Sequence, residues 1–251
     1  MTRRKRGWIV DLLTDYLIPP KCAGCGELIP ADSDTKPFCD ACKESWNNEA
    51  LEPCSSCGLS MRDCVCLPTL LTENGIRDGL FLTAYRTGGL TVPDRLILSI
   101  KSEKDRHAFS FLARELSYLV KRYVRDEELP SDRIVIAALP RRRRSVREKG
   151  FDHAVVLARA LSAETGYPYL NCLARRHGGR EQKHLGREER IQNLRNAFRY
   201  CGTDSVSGKF VFLVDDVMTT GSGLLACAEI LLSAGAERVI PTVIARTAEE
   251  Q

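Results

Sequence analysis

Two adjacent aspartates followed by a loop of small residues form the most chemically distinctive segment of this 251-residue sequence. Asp215 and Asp216 follow an apolar, strand-like run, and a helix-like segment begins at Leu224. Four residues of the intervening loop are suited to contact a phosphate: Thr219, Thr220, Gly221 and Ser222. A strand-to-helix turn aims free backbone N–H groups and the helix dipole at an anion. The aspartates would repel a bare phosphate, but carboxylates accept hydrogen bonds from sugar hydroxyls or lie near Mg²⁺. We therefore expect a phosphorylated sugar at this loop.

A second group of candidate ligands consists of eight of the eleven cysteines, which fall in four pairs near the N-terminus. The pairs are Cys22 with Cys25, Cys39 with Cys42, Cys54 with Cys57, and Cys64 with Cys66. Two thiolates at such close spacing supply half of a tetrahedral zinc site. We recognise no secretory signal, and in a reducing cytoplasm clustered pairs indicate metal binding rather than disulfides. We expect one or two structural zinc ions, with the pairs combined either sequentially or in a cross-braced order. The alternative is a set of reduced, buried cysteines.

Positive charge is concentrated in one region of the sequence. The formal net charge is only +4, but residues 139–199 carry 15 basic and 6 acidic side chains, a local excess of +9. This excess indicates an anionic partner, either the phosphates of a small molecule or single-stranded DNA. The alternative is a solvated helix face. Aromatic residues are only 7% of the chain, which argues against a base-stacking platform and limits DNA binding to sequence-independent phosphate contacts.

Strand-like and helix-like segments alternate from about residue 75 onward. The strand-like runs cover residues 79–85, 133–139, 169–173, 209–214 and 237–245, and the helix-like runs cover 92–99, 107–124, 151–165 and 224–234. This alternation predicts an α/β domain with a mostly parallel sheet, whose ligands bind at the carboxyl ends of the strands. Pro241 argues against a central position for the last strand, because proline cannot donate to a sheet ladder.

The chain divides into three predicted zones. An amphipathic helix covers residues 1–20, a cysteine-rich zinc-binding module covers 21–72, and the larger α/β domain covers 75–251. The cysteine-rich zone lacks a periodic apolar pattern, so it needs a metal to fold. No apolar run approaches the roughly 20 residues that span a bilayer, and 28% of the residues are charged. We therefore expect no membrane span and a cytoplasmic protein.

The segment Val211–Gly223 resembles the signature of type I phosphoribosyltransferases: four apolar residues, two acids, two apolar residues and Thr-Thr-Gly. The resemblance implies a parallel-sheet phosphoribosyltransferase fold. It also implies that Asp215 and Asp216 are the catalytic pair, which holds the ribose hydroxyls of phosphoribosyl pyrophosphate (PRPP). The loop residues Thr219–Ser222 would hold the 5-phosphate. Gly223 departs from the Ser, Thr, Ala or Arg that is usual at the last position.

The sequence as a whole resembles the ComF-type competence family, which joins a zinc-finger-like N-terminus to a type I phosphoribosyltransferase domain. The blocks at residues 147–153 and 182–198 carry much of this resemblance, although Lys149, Asp152 and His153 depart from the family's pattern. The resemblance implies further PRPP-binding residues: Leu139, Pro140 and Arg141 in a pyrophosphate-binding turn, Lys101, and Gln182 in a flap over the active site.

Two functions are open at this point. The first is a phosphoribosyltransferase that transfers phosphoribose from PRPP, bound with Mg²⁺, to an unknown nitrogen acceptor and releases pyrophosphate. His153 or His184 could act in it as an acid or base. The second is a non-catalytic factor that binds PRPP and handles single-stranded DNA through residues 139–199 in natural transformation, with the competence machinery as a possible partner. The family's link to transformation supports the second function, and the intact phosphate loop implies PRPP binding in both.

Overall fold

The computed structural model describes residues 19–86, 91–102, 105–176, 196–202 and 204–247. Its helices are α1 (Asp40–Ala50), α2 (Thr69–Thr72), α3 (Val92–Ser102), α4 (Arg106–Asp126), α5 (Arg143–Lys149), α6 (His153–Thr165) and α7 (Ser222–Ser233), and a 3₁₀ turn spans Ser131–Arg133. Its strands are β1 (Leu80–Tyr85), β2 (Ile134–Ala138), β3 (Leu173–Arg175), β4 (Phe198–Tyr200), β5 (Phe210–Met218) and β6 (Arg238–Thr247). The predicted N-terminal helix and most of the predicted flap, including Gln182 and His184, lie outside the described residues.

Four strands form one parallel sheet in the order β1-β6-β5-β2. Successive side chains point to opposite faces of a strand, so the apolar runs supply two cores. Ile136, Phe212 and Ile240 pack on the side of α4, and Val135, Val211 and Val239 pack on the side of α7. Burial on both faces explains why these strands are continuously apolar. The parallel α/β fold predicted from the sequence is confirmed.

The expectation for the last strand is wrong, because β6 lies in the middle of the sheet between β1 and β5. Pro241 is paired in register with Leu213 of β5. The ladder between β1 and β6 begins only at Leu80 and Thr242. At Pro241, therefore, β6 has only one paired neighbour, and the missing N–H interrupts no ladder on the β1 side. A central strand tolerates proline here because the adjacent strand has not yet begun.

Two predicted boundaries also differ from the structure. Tyr169 makes only an isolated bridge to Ile136, and the strand predicted at 169–173 begins instead at Leu173. This strand, β3, pairs antiparallel with β4 in a separate two-stranded sheet. The helix predicted from residue 151 begins at His153, because the Asp152 side chain caps it by accepting from the N–H groups of Ala154 and Val155.

The cysteine-rich segment shares both cores with the larger domain. Phe38 and Trp46 lie on the α4 side, where their rings contact Phe111 of α4 with centroids 5.3 and 5.2 Å away. On the α7 side, Met61 and Leu71 join the cluster that contains the α7 side chains. The boundary between residues 72 and 75 stays a prediction, and apolar side chains from both sides of it are packed together.

Within the described residues, no helix combines the length and the apolar character needed to cross a membrane.

Candidate functional site

The acidic pair, Asp215 and Asp216, lies near the carboxyl end of β5 and is buried. Strand β5 continues through both acids to Met218, four residues beyond the predicted end. The Arg141 Nη2 atom donates to Asp215 Oδ1 at 3.1 Å and also to Asp216 Oδ1. One guanidinium therefore bridges the two carboxylates, which would otherwise repel each other at close range.

Burial and neighbouring charge act differently on the two acids. Burial and the nearby charge of Asp216 raise the pKa of the Asp215 carboxyl, although Arg141 opposes the change. Burial alone would also raise the pKa of Asp216, but contacts with His153, Arg141 and Lys101 outweigh it and hold that pKa well below its usual range. The two carboxyls therefore differ in proton affinity: Asp216 keeps its negative charge, and Asp215 binds a proton more readily.

Two further side chains approach the outer oxygen of Asp216. The Lys101 Nζ atom, at the end of α3, lies 3.1 Å from Asp216 Oδ2, and the His153 Nε2 atom lies 3.2 Å from the same oxygen. His153 is almost completely buried, whereas Lys101 and Arg141 keep about a third of their side chains exposed, at 28% and 30%. The two cations can therefore reach solvent or a ligand, and the imidazole cannot.

The loop after the acids exposes the start of a helix. Gly221 precedes α7 with a φ of 74°, which is left-handed and favours glycine. Thr219 and Thr220 are exposed, and the hydroxyls of Thr220 and Ser222 are 2.8 Å apart. The loop presents hydroxyls beside the N-terminal end of a 12-residue helix, the arrangement that favours an anion.

The loop rests on the cysteine-rich segment. A Cβ atom at Gly221 would lie 2.8 Å from Leu71 Cδ1, and Leu71 of α2 is fully buried. Helix α2 is the short link between the last cysteine pair and β1. The loop before α7 thus packs against a side chain that lies 150 positions earlier in the chain.

The predicted pyrophosphate turn is held from both sides. The Leu139 N–H donates to the Val214 carbonyl at 2.9 Å, which extends the pairing of β2 with β5. The Arg141 N–H donates to Asp152 Oδ2 at 3.1 Å, and Asp152 also caps α6. Pro140 lies between these two anchors and is partly exposed. The turn therefore holds Arg141 against the acidic pair, and one aspartate supports both the turn and the following helix.

A basic surface adjoins this turn. Arg142, Arg143 and Arg144 are exposed at the start of α5, and Arg147 is exposed near its end. Arg144 also pairs with Glu148 one helical turn away, at 2.8 Å. An exposed pair of this kind contributes little to stability, so it would not prevent Arg144 from contacting a phosphate.

The eight paired cysteines form two clusters, which combine the pairs in sequence order. The first cysteine cluster contains Cys22, Cys25, Cys39 and Cys42, and the second contains Cys54, Cys57, Cys64 and Cys66. The four sulfurs of each cluster lie within 4.8 Å of one another. In a tetrahedral site with Zn–S bonds of about 2.3 Å, neighbouring sulfurs are about 3.8 Å apart. The sulfurs of Cys22 and Cys39 are 3.8 Å apart and those of Cys57 and Cys64 are 3.5 Å apart, so the clusters fit zinc.

Arg246 connects the second cysteine cluster to the sheet. This buried residue of β6 donates from Nη2 to Cys54 Sγ at 3.2 Å and from Nη1 to the Cys66 carbonyl at 3.0 Å. Burial alone would raise the pKa of the Cys54 thiol, but backbone N–H groups and Arg246 outweigh it and lower the pKa to about 6. The positive charge partly balances the thiolates that a metal requires.

Three of these contacts do not follow from the sequence. The sequence marks His153 only as a possible acid or base and does not place it beside Asp216. Leu71 and Arg246 belong to no motif, and each contacts a residue distant in the chain. The tight Thr-Thr-Gly loop was the one signal that something must pack closely on Gly221.

Comparison with known proteins gives consistent findings. The family profile described as "Phosphoribosyl transferase domain" matches residues 145–251. The "DNA utilization protein YhgH" is 34% identical over 154 residues in Salmonella typhi and 34% identical over 160 residues in Escherichia coli (strain K12). Each of these matches covers 61% of this chain and 66% of the relative, just under two thirds of its length. "Competence protein F" of Haemophilus influenzae is 34% identical over 93 residues, 36% of this chain and 41% of that protein.

Solved structures with a similar backbone include a purine phosphoribosyltransferase from Pyrococcus horikoshii Ot3 and an adenine phosphoribosyltransferase from Leishmania tarentolae. The first is 16% identical, covers 56% of this chain and 90% of that chain, and has a TM-score of 0.34. The second is 18% identical, covers 60% of this chain and 62% of that chain, and has a TM-score of 0.36. The family profile and the strand order show a type I phosphoribosyltransferase fold, preceded in the chain by two four-cysteine clusters, and the sequence is similar to relatives named for DNA utilization and competence.

Proposed function

We propose that the protein binds PRPP and transfers its phosphoribosyl group to a nitrogen acceptor, with release of pyrophosphate. One observation carries this proposal: the acidic pair, the exposed start of α7 and the Arg141 guanidinium converge at the carboxyl end of the parallel sheet. This is the edge at which open α/β sheets bind their ligands. A phosphorylated sugar with a second phosphate group matches the three features together.

Each feature is assigned one part of the ligand. The acidic pair accepts hydrogen bonds from the ribose 2′- and 3′-hydroxyls, and residues 219–222 bind the 5-phosphate at the start of α7. The turn 139–141 binds the pyrophosphate, with Lys101 and Arg141 supplying positive charge. The bond between the ribose C1 and the pyrophosphate oxygen breaks as the acceptor nitrogen bonds to C1, and the proton that this nitrogen loses passes to the released pyrophosphate or to water. The protein contributes positioning and charge neutralisation, and Mg²⁺, if bound with PRPP, would supply further positive charge for the leaving pyrophosphate.

The cysteine clusters have a structural role in this proposal. We assign one zinc ion to each, because the sulfur separations fit tetrahedral coordination and four protein ligands leave no open position for catalysis. Reduced thiolates are required for this role, which agrees with a cytoplasmic protein.

Binding is tested by calorimetry with PRPP and Mg²⁺. Asp215→Asn and Asp216→Asn should each abolish measurable binding, because an amide cannot replace a carboxylate as a double acceptor of ribose hydroxyls. Asp132→Asn is the matched control, since Asp132 is exposed in the 3₁₀ turn at the opposite end of β2. Unchanged PRPP affinity in both acidic-pair variants would overturn the proposal. Catalysis is tested separately by pyrophosphate release with a panel of nitrogenous bases and amines.

A second candidate function is the handling of single-stranded DNA without turnover. The observation that favours it is the exposed run Arg142–Arg144 beside the site, on a chain whose relatives are named for DNA utilization and competence. The exposed guanidinium groups match phosphates and carry no information about base sequence. PRPP binding without pyrophosphate release, combined with DNA binding, would select this candidate.

Salt dependence tests the DNA candidate quantitatively. Each phosphate contact to a single strand contributes about 0.7 to the slope of log affinity against log salt. If Arg142 and Arg143 each neutralise one phosphate, the double Gln variant should lower the magnitude of the slope by about 1.4. Arg125→Gln on the exposed end of α4 is the control and should leave the slope unchanged. A wild-type slope near zero would refute phosphate-based DNA binding.

A further inference from the structure

His153 is a buried residue that the proposed chemistry does not use. It is the first residue of α6 and keeps only 6% of its surface exposed. Its Nε2 atom lies 3.2 Å from Asp216 Oδ2, which the Lys101 Nζ atom also approaches at 3.1 Å, and within the described residues neither Nε2 nor Oδ2 makes a hydrogen bond of regular geometry. Leaving a buried donor or acceptor unsatisfied costs about 1–3 kcal/mol. In the described part of the chain the His153 Nε2 atom has no second neighbour of this kind, so a cation beside Asp216 Oδ2 could bind both atoms.

The geometry of these atoms suits a metal ion. One ligand atom each from His153, Asp215 and Asp216 can be chosen within 4.8 Å of one another, and all three residues are buried. Two neighbouring ligands at a right angle and about 2.1 Å from a divalent cation are about 3.0 Å apart. The observed 3.2 Å between Nε2 and Oδ2 is close to that separation and longer than a strong charge-assisted hydrogen bond.

The acidic pair can be neutralised either by the Arg141 and Lys101 side chains or by one divalent cation. In the structure Arg141 and Lys101 place two positive charges against the acidic pair. Both side chains are partly exposed and can turn toward an arriving pyrophosphate, while His153 stays buried. One divalent cation carries the same charge as the two side chains together, so the buried carboxylates remain neutralised when it replaces them.

We propose that His153 Nε2, Asp216 Oδ2 and a carboxylate oxygen of Asp215 bind a divalent cation, in competition with Arg141 and Lys101. A ligand set with one imidazole nitrogen and two carboxylates favours Mn²⁺ over Mg²⁺, which prefers an all-oxygen environment. The role of this ion in binding a pyrophosphate-containing ligand rests on the proposed function, but its protein ligands do not.

Electron paramagnetic resonance tests the site directly, because free aqueous Mn²⁺ gives a signal that decreases on binding. The zinc-loaded full chain is titrated with Mn²⁺ in the absence of PRPP, and the soft thiolate clusters compete poorly for this ion. Arg141→Gln should raise the Mn²⁺ affinity about tenfold or more by removing a competing cation. Adding His153→Gln to that variant should lower the affinity at least about tenfold by removing a ligand. His107→Gln, on the half-buried histidine near the start of α4, is the matched control and should change nothing.

The gain of affinity in Arg141→Gln cannot result from misfolding, so the result does not depend on the stability of the His153 variant alone. Absence of Mn²⁺ uptake by both the wild type and Arg141→Gln would overturn the inference. Equal uptake with and without His153 would overturn it as well. PRPP calorimetry on the same preparations separates the two proposals: PRPP binding without a His153-dependent Mn²⁺ site refutes only this inference, and Mn²⁺ binding without PRPP affinity refutes only the proposed function.

Discussion

The contact between Gly221 and Leu71 gives a quantitative test of how the phosphate loop is supported. Gly221→Ala places a Cβ on a residue with a φ of 74°, which costs about 1–2 kcal/mol for an L-residue. That Cβ would lie 2.8 Å from Leu71 Cδ1 and 3.0 Å from Leu71 Cγ. Since Leu71 is fully buried and cannot move into solvent, the overpacking adds about 1–3 kcal/mol. The variant should lose about 2–5 kcal/mol of unfolding free energy in total.

Urea denaturation followed by tryptophan fluorescence measures this loss, because Trp46 is buried in the core shared with α4. Gly223→Ala is the matched control two residues away. Its Cβ would meet Leu139 Cδ1 at an ordinary 3.6 Å, and it lies in the first turn of α7, where alanine is the better helix former. It should therefore be neutral or slightly stabilising.

A double-mutant cycle with Leu71→Ala separates the two parts of the cost. Leu71→Ala alone should cost about 2–5 kcal/mol as a cavity in the core. In that background, Gly221→Ala should cost only the backbone part, about 1–2 kcal/mol. An undiminished penalty in the Leu71→Ala background would refute the argument that the link α2 supports the loop. A Gly221→Ala variant as stable as Gly223→Ala would refute both parts.

The remaining predictions concern the supports around the site. Arg246→Gln should lower the unfolding free energy by about 3 kcal/mol in urea denaturation, because it leaves the Cys54 thiolate without its buried cation; a change below about 0.5 kcal/mol, typical of a surface site, would contradict this role. Asp152→Ala should cost about 1 kcal/mol by removing the cap of α6, and it should also weaken PRPP binding in calorimetry by releasing the turn at Arg141; loss of stability with unchanged PRPP affinity would count against the second effect. Burial raises the pKa of Asp215 above its value in the unfolded chain, so ionising this carboxyl in the folded protein costs stability. As pH rises above about 4, the ligand-free wild type should therefore lose unfolding free energy relative to Asp215→Asn. Curves of stability against pH that run parallel for the two proteins would show that the pKa of this carboxyl is not perturbed. Removing zinc with a chelator should abolish PRPP binding as well as lower the melting temperature, since α2 follows the second cysteine cluster and packs on the phosphate loop; full PRPP affinity in the metal-free chain would disprove this coupling.

The sequence alone was sufficient for the features encoded by neighbouring residues. Continuous apolar runs predicted the buried parallel strands, because burial on both faces leaves no polar alternation. Two acids between a strand and a small-residue loop predicted a phosphorylated-sugar site, and close cysteine spacing predicted metal ligands. Each of these conclusions depends on chemistry within about a dozen adjacent positions.

Only the tertiary structure decided the features that join distant parts of the chain. The spacing of the cysteines left open which pairs share a metal. In the structure, the first two pairs lie with the core on one face of the sheet and the last two with the core on the other face, so the pairs combine in sequence order. Arg246 and Cys54 are 192 positions apart, and Arg141 and Asp216 are 75 apart. Such contacts follow from strand order, and the strand order also placed Pro241 in a central strand. The sequence thus predicted which residues bind a phosphorylated ribose, and the sheet decided which cations and which histidine surround the two carboxylates.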